Sequence, residues 1–306
     1  TIQNGKTGGY GGAIFCAYSD PTIINCTFSG NSAYRGGAIC CSDNSRPTIT
    51  NCTFNGNSGT GFNNIAGAIF CDNMSHPQIF DSVFTGNTAD LGGALFCNRS
   101  CLPTIQNCLF TGNSTTYSGG AIYCDQSSDP QIGNCLFINN TAGQTGGAIR
   151  CSRGSSPKME NCTFSDNSAK YGGAVYCRES SSPSFYNCIL WGDDASSAGD
   201  EIYIYDDSSN PSYATLKYCC VDNTGYGGVT GNITENNCIH SDPQFVDSAN
   251  GDYRLKSTSP CIDAGNDGYV PYPYRGYKDL DGNPRIVDGN NDGTPTVDIG
   301  AYEYQP

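Results

Sequence analysis

The chain has 306 residues, a formal net charge of −14 at pH 7 and only 14% charged residues. This negative balance argues against nucleic acids and anionic membranes as partners, because both are negatively charged. No apolar run approaches the roughly 18 residues of a membrane-spanning helix, and the 39 glycines and 20 tyrosines are typical of a β-rich chain.

One sequence unit returns seven times between the N-terminus and about residue 190. A glycine before an alanine marks each unit: Gly12, Gly37, Gly67, Gly93, Gly120, Gly147 and Gly173. The phenylalanine of an F-x-x-N motif and a proline follow at the same period, and one longer interval at "GTGFNNIA" predicts a loop insertion. A period this regular predicts a stack of identical structural units.

Within a unit the apolar residues form short alternating pieces bounded by Gly, Asn, Ser and Pro. Ile14 and Cys16 come first, then Ile23, then Cys26 and Phe28. Short runs with a period of two indicate strands, so each unit predicts one coil of a parallel β-helix. Seven coils at about 4.8 Å each give a rod roughly 34 Å long.

Asparagine and cysteine recur at fixed places in the unit. The asparagines between two predicted strands are expected to adopt a left-handed bend and to hydrogen-bond to their copies: Asn25, Asn51, Asn107, Asn134, Asn161 and Asn187, with Asp81 in the third unit. Thirteen of the 19 cysteines form two columns that we interpret as small apolar side chains inside a narrow coil. A metal or redox function is disfavoured, because no C-x-x-C pair has zinc spacing.

Every residue between the inward Ile and Cys should point outward, and five of these seven positions are aromatic. The five are Phe15, Phe70, Phe96, Tyr123 and Tyr176. An exposed aromatic face stacks on sugar rings or on a partner, so it predicts binding of a polysaccharide or a surface protein. In the alternative interpretation, the aromatics stabilise one another along the rod or lie beneath a long loop.

The segment "DGNNDGTPTVDIG" predicts a calcium site. Asp288, Asn290 and Asp292 alternate before Gly293, and Asp298 follows ten residues after the first. This spacing turns oxygen-bearing side chains toward one point, as in calcium loops, although Ile299 replaces the usual bidentate Glu. The alternative is an ordinary Asp/Gly turn.

Two parts of the chain resemble known families. The G-G-A-I and F-x-x-N repeats resemble those of polymorphic outer-membrane proteins and related right-handed parallel β-helix surface proteins. The tail, "SDPQFVDSANGDYRLKSTSPCIDAGN" followed by "DLDGNPRIVDGNNDGTPTVDIGAYEYQP", resembles the C-terminal region of bacterial exported proteins of the choice-of-anchor Q type. These resemblances imply the fold and an extracellular or cell-surface location, and the numbering is expected to begin inside a longer precursor.

A catalytic alternative follows from the β-helix resemblance, since many β-helix proteins are polysaccharide lyases or glycosidases. The position after the first cysteine column carries Asp72, Asp125 and Arg178. The two carboxylates would lie two coils apart, roughly 9.6 Å, at the outer limit for an inverting glycosidase. Because the other outward columns are mostly Thr, Gln, Ser and apolar residues, we favour a non-catalytic function.

We therefore predict an all-β, right-handed parallel β-helix with about seven regular coils of 25–30 residues and an irregular C-terminal cap. Residues 1–190 form the regular repeats, 191–240 an irregular continuation and 241–306 the cap. The predicted function is an exported structural, adhesive or carbohydrate-binding rod at the cell surface, with calcium in the tail.

Overall fold

The computed structural model describes residues 1–205, 207–271 and 278–306, and it is a parallel β-solenoid of about nine turns. Three sheets of nine strands and one of seven run along the rod, with each strand hydrogen-bonded to its copy in the next turn. The all-β solenoid prediction is confirmed. Two further turns follow the seven that the repeat marks.

The cysteine sheet contains the first cysteine column and the aromatic positions between Ile and Cys. Its strands are Ile14–Ala17, Ile39–Ser42, Ile69–Cys71, Leu95–Cys97, Ile122–Cys124, Ile149–Cys151, Val175–Cys177, Ile202–Ile204 and Tyr226–Gly228. In the seven repeated turns, the proline sheet follows the proline that recurs once in each unit. Its strands are Thr22–Ile24, Thr48–Thr50, Gln78–Phe80, Thr104–Gln106, Gln131–Gly133, Lys158–Glu160, Ser184–Tyr186, Ala214–Lys217 and Ile233–Asn236.

The phenylalanine sheet contains the F-x-x-N phenylalanines. Its strands are Ile2–Gln3, Thr27–Ser29, Thr53–Asn55, Val83–Thr85, Leu109–Thr111, Leu136–Ile138, Thr163–Ser165, Ile189–Leu190 and Cys220–Val221. The short sheet lies before the Gly-Gly corner. Its strands are Ser32–Ala33, Ser58–Gly59, Thr88–Leu91, Ser114–Ser118, Thr141–Ala142, Ser168–Tyr171 and Asp194–Ala198.

The interior of the rod is a set of stacked identical side chains. Six phenylalanines, from Phe28 to Phe164, stack face to face with ring centroids 4.7 to 4.9 Å apart. Twelve of the 13 column cysteines are buried, with Cys26 half-buried, so their inward orientation is confirmed. One hydrophobic core runs from Ile23 to Val221.

A buried asparagine ladder runs beside the phenylalanines and is a feature that the sequence analysis did not identify. Its members, the last residues of the F-x-x-N motifs, are all fully buried: Asn31, Asn57, Asn87, Asn113, Asn140 and Asn167. From Asn57 to Asn140, each side chain donates to the next amide oxygen and to the carbonyl of an earlier phenylalanine, as for Asn57 with Asn87 and Phe28, both at 3.0 Å. The ladder satisfies backbone groups that the narrow coil buries.

The Gly-Gly corner requires glycine for two different reasons. Gly36 has φ of +68°, a left-handed conformation that disfavours side chains. A Cβ atom on Gly37 would lie 2.1 Å from the carbonyl oxygen of Gly67 in the next turn. The corner is therefore fixed by backbone conformation and by close stacking of successive turns.

The outer asparagine column has the predicted left-handed bend, with φ between 49° and 55° at all seven positions including Asp81. Hydrogen bonds between copies occur along the column, as from Asn51 to Asn25 at 2.7 Å and from Asn187 to Asn161 at 3.4 Å. In the later turns the asparagines also hold the tail: Asn134 donates to Lys278 and Asn161 to Asp298, each at 3.1 Å. The tail thus docks on this column.

The tail has little regular structure. It contains an antiparallel pair, Phe245–Asp247 with Asp252–Leu255, and two short 3-10 helices, Ser248–Asn250 and Asp267–Tyr269. Two other 3-10 helices, Asn223–Gly225 and Thr230–Asn232, belong to the last turns of the rod. Four charged tail residues are almost fully buried against the rod: Asp279, Arg285, Asp298 and Glu303.

Candidate functional site

The aromatic residues predicted to form an exposed face lie on the outer side of the cysteine sheet, but most of them are covered. Phe15 is 52% exposed, whereas Phe70, Phe96, Tyr123 and Tyr176 are 1 to 6% exposed. The prediction of an open aromatic face is therefore wrong for four of the five residues. Burial also raises the pKa of Tyr176 to about 12.

These rings are covered by residues of the Gly-Gly corner that precedes each strand and by Arg35 and Arg150. Ile65 and Leu91 pack against Phe70 and Phe96, and Ala66 completes the cluster. The Arg35 guanidinium lies 5.5 Å from the Phe70 ring centroid. The outward aromatics therefore form a second, smaller hydrophobic core outside the coil.

Arg150 replaces an aromatic in this column and lies between two tyrosines. Its guanidinium is 5.0 Å from the Tyr123 ring centroid and 5.3 Å from that of Tyr176. It donates to the hydroxyls of Ser118 and Thr145, both at 2.7 Å. Cation–π contact and hydrogen bonds together hold the charge in place.

The two carboxylates of the catalytic alternative lie along the same edge, one position further along each turn. Asp72 accepts from Asn98 at 2.9 Å and lies 3.4 Å from Arg99. Asp125 is 2% exposed and accepts from Arg153 through both oxygens. Both carboxylates are thus paired with an arginine from the next turn.

Arg178, the third residue of that alternative, lies at the far end of the edge. It forms an ion pair with Glu179, which also accepts from the Ser152 hydroxyl at 2.9 Å. Neighbouring cations and these hydrogen bonds lower the pKa of Glu179 despite its partial burial. Arg178 also lies 5.6 Å from the ring of Tyr205, which is 44% exposed.

Three cavities join these residues into one surface, which we call the arginine groove. The first, about 260 Å³, and the second, about 220 Å³, share Arg35 and Arg99. The second shares Tyr123 and Arg153 with the third, which is about 260 Å³. The groove spans the seven turns that carry Phe15 to Tyr176, or roughly 29 Å at the strand spacing.

Opposite charges are nearly balanced in the arginine groove. Five arginines line it, Arg35, Arg99, Arg150, Arg153 and Arg178, and so do four carboxylates, Asp43, Asp72, Asp125 and Glu179. It therefore offers many hydrogen-bond donors and acceptors with little net charge, on a chain whose overall charge is −14. Half-exposed aromatic rings lie at its ends: Tyr10 and Phe15 at one, Tyr205 at the other.

Sequence reasoning identified Asp72, Asp125 and Arg178 but missed the arginines that pair with the two aspartates. Arg99 and Arg153 occupy the position two residues after the column cysteine, where the first turn carries Tyr18 and the others carry Asp43, Asn73, Gln126 and Glu179. This run of polar and charged residues was visible in the sequence. Its meaning depended on contacts between successive turns.

Three of the four predicted calcium ligands lie in one hydrogen-bonded turn, and the fourth accepts hydrogen bonds from other residues of the tail. Asp288 and Asn290 both accept from the Asp292 backbone amide, at 3.0 and 2.9 Å, and Asp292 accepts from Thr294 at 2.8 Å. Asp298 is buried and accepts from the amides of Asp263 and Tyr304. Both Asp298 oxygens are thus engaged by backbone amides, and a calcium site formed by these four residues stays a prediction.

The described residues were compared with the requirements of a metal site and of a membrane-spanning helix, and they meet neither. Within residues 1–205, 207–271 and 278–306, three or more His, Cys, Asp or Glu side chains nowhere cluster closely enough to hold a metal ion. In the same ranges, none of the helices has the length and apolar character that crossing a membrane requires.

The comparison with known protein families agrees with this architecture. The sequence profile of the right-handed beta helix region matches residues 1–137 and 93–266, which together cover most of the chain. No curated protein and no solved structure is significantly similar to it. With its stacked parallel turns and this match, the chain belongs to the right-handed β-helix family.

Proposed function

We propose that this protein is an exported cell-surface rod that binds a neutral polysaccharide along the arginine groove. The observation that carries the proposal is the continuity of the groove over seven turns with half-exposed aromatic rings at its ends. A linear groove of repeated polar groups fits a linear polymer of repeated units better than a compact small molecule.

The balance of charges favours a neutral ligand over an anionic one. Five arginines face four carboxylates, so an anionic polymer would meet nearly as much repulsion as attraction. Sugar hydroxyls both donate and accept, and therefore match a surface that presents both kinds of group. Tyr10, Phe15 and Tyr205 supply apolar faces for ring stacking.

The resemblance of the tail to choice-of-anchor Q proteins supports export, since those proteins are secreted and carry a cell-surface anchor. The acidic composition is compatible with secretion, and the β-helix family match agrees with a surface function. Surface-exposed rods of this kind meet extracellular polysaccharides, which provides the ligand that the groove requires.

The test is a binding screen of the full chain against neutral and anionic polysaccharides from plants, algae and host tissue. We expect binding to neutral polymers at moderate salt and at least a tenfold loss of affinity in Arg99→Ala, because a 1.4 kcal/mol loss of binding energy is tenfold in Kd. Arg99 suits this test because its side chain is 56% exposed and makes one long ion pair.

The matched control is Arg46→Ala, which removes an exposed arginine outside the groove and should leave affinity unchanged. Equal losses in Arg46→Ala and Arg99→Ala would point to non-specific electrostatics. Preferential binding of anionic polymers, or no binding to any polymer, would overturn the proposal.

A polysaccharide lyase or glycosidase is the second candidate, favoured by the presence of Asp72 and Asp125 in the same groove. Against it, Asp125 is almost fully buried and is paired with Arg153 through both oxygens, so its charge is already balanced by a cation. Assaying the same panel for new reducing ends or unsaturated sugars distinguishes the two. Product release that Asp125→Asn abolishes would establish the enzyme.

A further inference from the structure

Two cysteines outside the repeated columns meet where the tail docks on the rod. Cys220 begins the last strand of the phenylalanine sheet, and Cys261 lies in the tail, 41 positions further along. Both are fully buried in one cluster with Ile189, Leu255 and Ile299. The pair therefore joins parts of the chain that the repeat does not relate.

Both cysteines are fixed by neighbouring hydrogen bonds. The Cys220 thiol donates to the Ser241 carbonyl at 3.2 Å and is also hydrogen-bonded to the Cys261 side chain, which together with burial raises its pKa. The Cys261 backbone amide donates to the Ser259 hydroxyl at 3.1 Å, and its carbonyl accepts from the Ile299 amide at 3.0 Å. These bonds hold Cys261 in the same buried cluster as Cys220.

The column cysteines differ in a way that matters for oxidation. Successive turns are related by a simple translation, which the stacked Phe54 and Phe84 rings measure as 4.7 Å. The same translation separates the Cβ atoms of stacked cysteines, whereas a disulfide needs about 3.5 to 4.5 Å between Cβ atoms. A disulfide between stacked cysteines would therefore draw two turns closer together than the spacing of the coil. Cys220 and Cys261 are free of that constraint, because they belong to unrelated segments.

We propose that Cys220 and Cys261 form a disulfide bond that fastens the tail to the rod in the exported protein. In this reaction the two thiols give up two protons and two electrons to a small disulfide such as oxidised glutathione. The oxidant is released as two thiols. The proposal depends on the export part of the proposed function, because disulfides persist in oxidising compartments.

The experiment compares the full chain from an oxidising secretory compartment with the same chain made in a reducing cytoplasm. Each sample is denatured in excess N-ethylmaleimide and digested with trypsin, which releases residues 218–254 and 257–275 as separate peptides. We expect these peptides to be covalently joined in the secreted sample and separate in the cytoplasmic one.

Variants identify the sulfur in the first peptide, which also contains Cys219 and Cys238. Cys220→Ser and Cys261→Ser should abolish the cross-link, while Cys219→Ser and Cys238→Ser should retain it. The oxidised protein should also melt about 5 °C or more above Cys261→Ser, and the reduced proteins should melt nearly together.

Alkylation of both Cys220 and Cys261 in the secreted wild-type protein would overturn the proposal, as would a cross-link that survives in Cys220→Ser. The assay contains no polysaccharide, so either negative result leaves the binding function of the arginine groove untouched. Conversely, failure to bind any glycan would not affect the cross-link.

Discussion

The rod and the tail bury polar groups in opposite ways. In the rod, the asparagines of the buried ladder are neutral, and from Asn31 to Asn140 each is satisfied by an identical residue one turn away, as Asn113 is by Asn140 at 3.0 Å. In the tail, Arg285 is fully buried with Glu303 3.5 Å away and donates to the carbonyl of Gly300. Repetition supplies the partners in the rod, whereas the tail depends on one-off charged contacts.

This difference predicts how damage spreads. A change in the rod disturbs the turns on both sides of it, because each turn contacts chiefly its neighbours. A change in the tail should release the tail and leave the stacked turns intact. The following predictions test the two modes of burial, from the largest expected effect to the smallest.

Asn113→Ala should destabilise the rod by about 4 kcal/mol, because it leaves several buried groups without partners. The substitution removes the acceptor of the Asn87 amide at 3.1 Å and the donor to the Phe84 carbonyl at 3.0 Å. The measurement is chemical denaturation followed by circular dichroism. The matched control is Asn107→Ala in the outer column, where loss of a left-handed asparagine should cost about 1–2 kcal/mol. Equal losses of stability in the two variants would show that the buried asparagine ladder contributes no more than the outer column.

Arg285→Met should destabilise tail docking by about 3 kcal/mol, because Asn134 and the Gly300 carbonyl lose a buried donor and buried Asp298 loses its nearby cation. Burial, with the charge of Asp298 nearby, already raises the pKa of Glu303 to about 9, so removal of Arg285 should favour its protonation further. Limited proteolysis should cleave the tail rapidly while residues before 236 stay protected. The control is Arg254→Met, whose ion pairs with Asp252 and Asp281 are exposed. Loss of the whole rod in Arg285→Met would contradict separate stabilisation.

The C-terminal end of the buried asparagine ladder should make the free energy of unfolding depend on pH. There Asp193 replaces asparagine and accepts from the Asn167 side chain at 2.7 Å, beside buried Glu201. Burial raises the pKa of Asp193 to about 7 and that of Glu201 well above its usual value. The folded state therefore holds protons that the unfolded state releases, so stability falls as pH rises from about 4 through 7.

Asp193→Asn tests this directly, since asparagine is the residue that the other turns use. We expect the wild-type melting temperature to fall by several degrees between about pH 5.5 and pH 8, and the variant to show a smaller fall. The control is Asp194→Asn, an exposed neighbour. A wild-type protein that is more stable at pH 8 would show that the carboxyl pair is not protonated in the folded state.

Calcium binding at the tail turn stays a prediction, and its effect should be the smallest. Asp288, Asn290 and Asp292 already accept hydrogen bonds within the turn, so an ion must compete with them. We expect millimolar calcium to raise the melting temperature of the tail by about 2 °C and a chelator to reverse it. Asp292→Ala should remove the response, whereas Asp207→Ala, in another exposed turn, should keep it. An unchanged melting temperature in the wild-type protein would eliminate the site.

The periodic positions of the sequence were sufficient to predict the rod. Gly36, Phe54 and Cys71 recur at a fixed interval, and side chains one turn apart must stack when strands pair in register. The same logic predicted the left-handed bend at Asn51. Periodicity did not predict the buried asparagine ladder, although the F-x-x-N motif was evident. The direction of the Asn57 side chain depends on the corner that follows it, and the repeat alone does not specify that direction.

The candidate site was predicted in part. Asp72, Asp125 and Arg178 were placed on one edge from their shared position in the repeat, and the structure places them in one groove. The burial of Phe70 and Tyr123 was not foreseen, because the residues that cover them belong to the corner and vary from turn to turn. Arg35 packs on Phe70 in one turn, and Ile65 and Leu91 cover the next turns.

By itself, the sequence determined the seven regular turns, the strands that carry the apolar positions and the inward cysteine columns of this protein, but not the two further turns or the short sheet. These follow from local alternation and from a period that places identical residues one above another. Only the tertiary structure decided the pairing of Asp125 with Arg153, the docking of the tail on Asn134 and Asn161, and the meeting of Cys220 with Cys261. Those contacts join non-equivalent positions, and no periodicity relates the two partners.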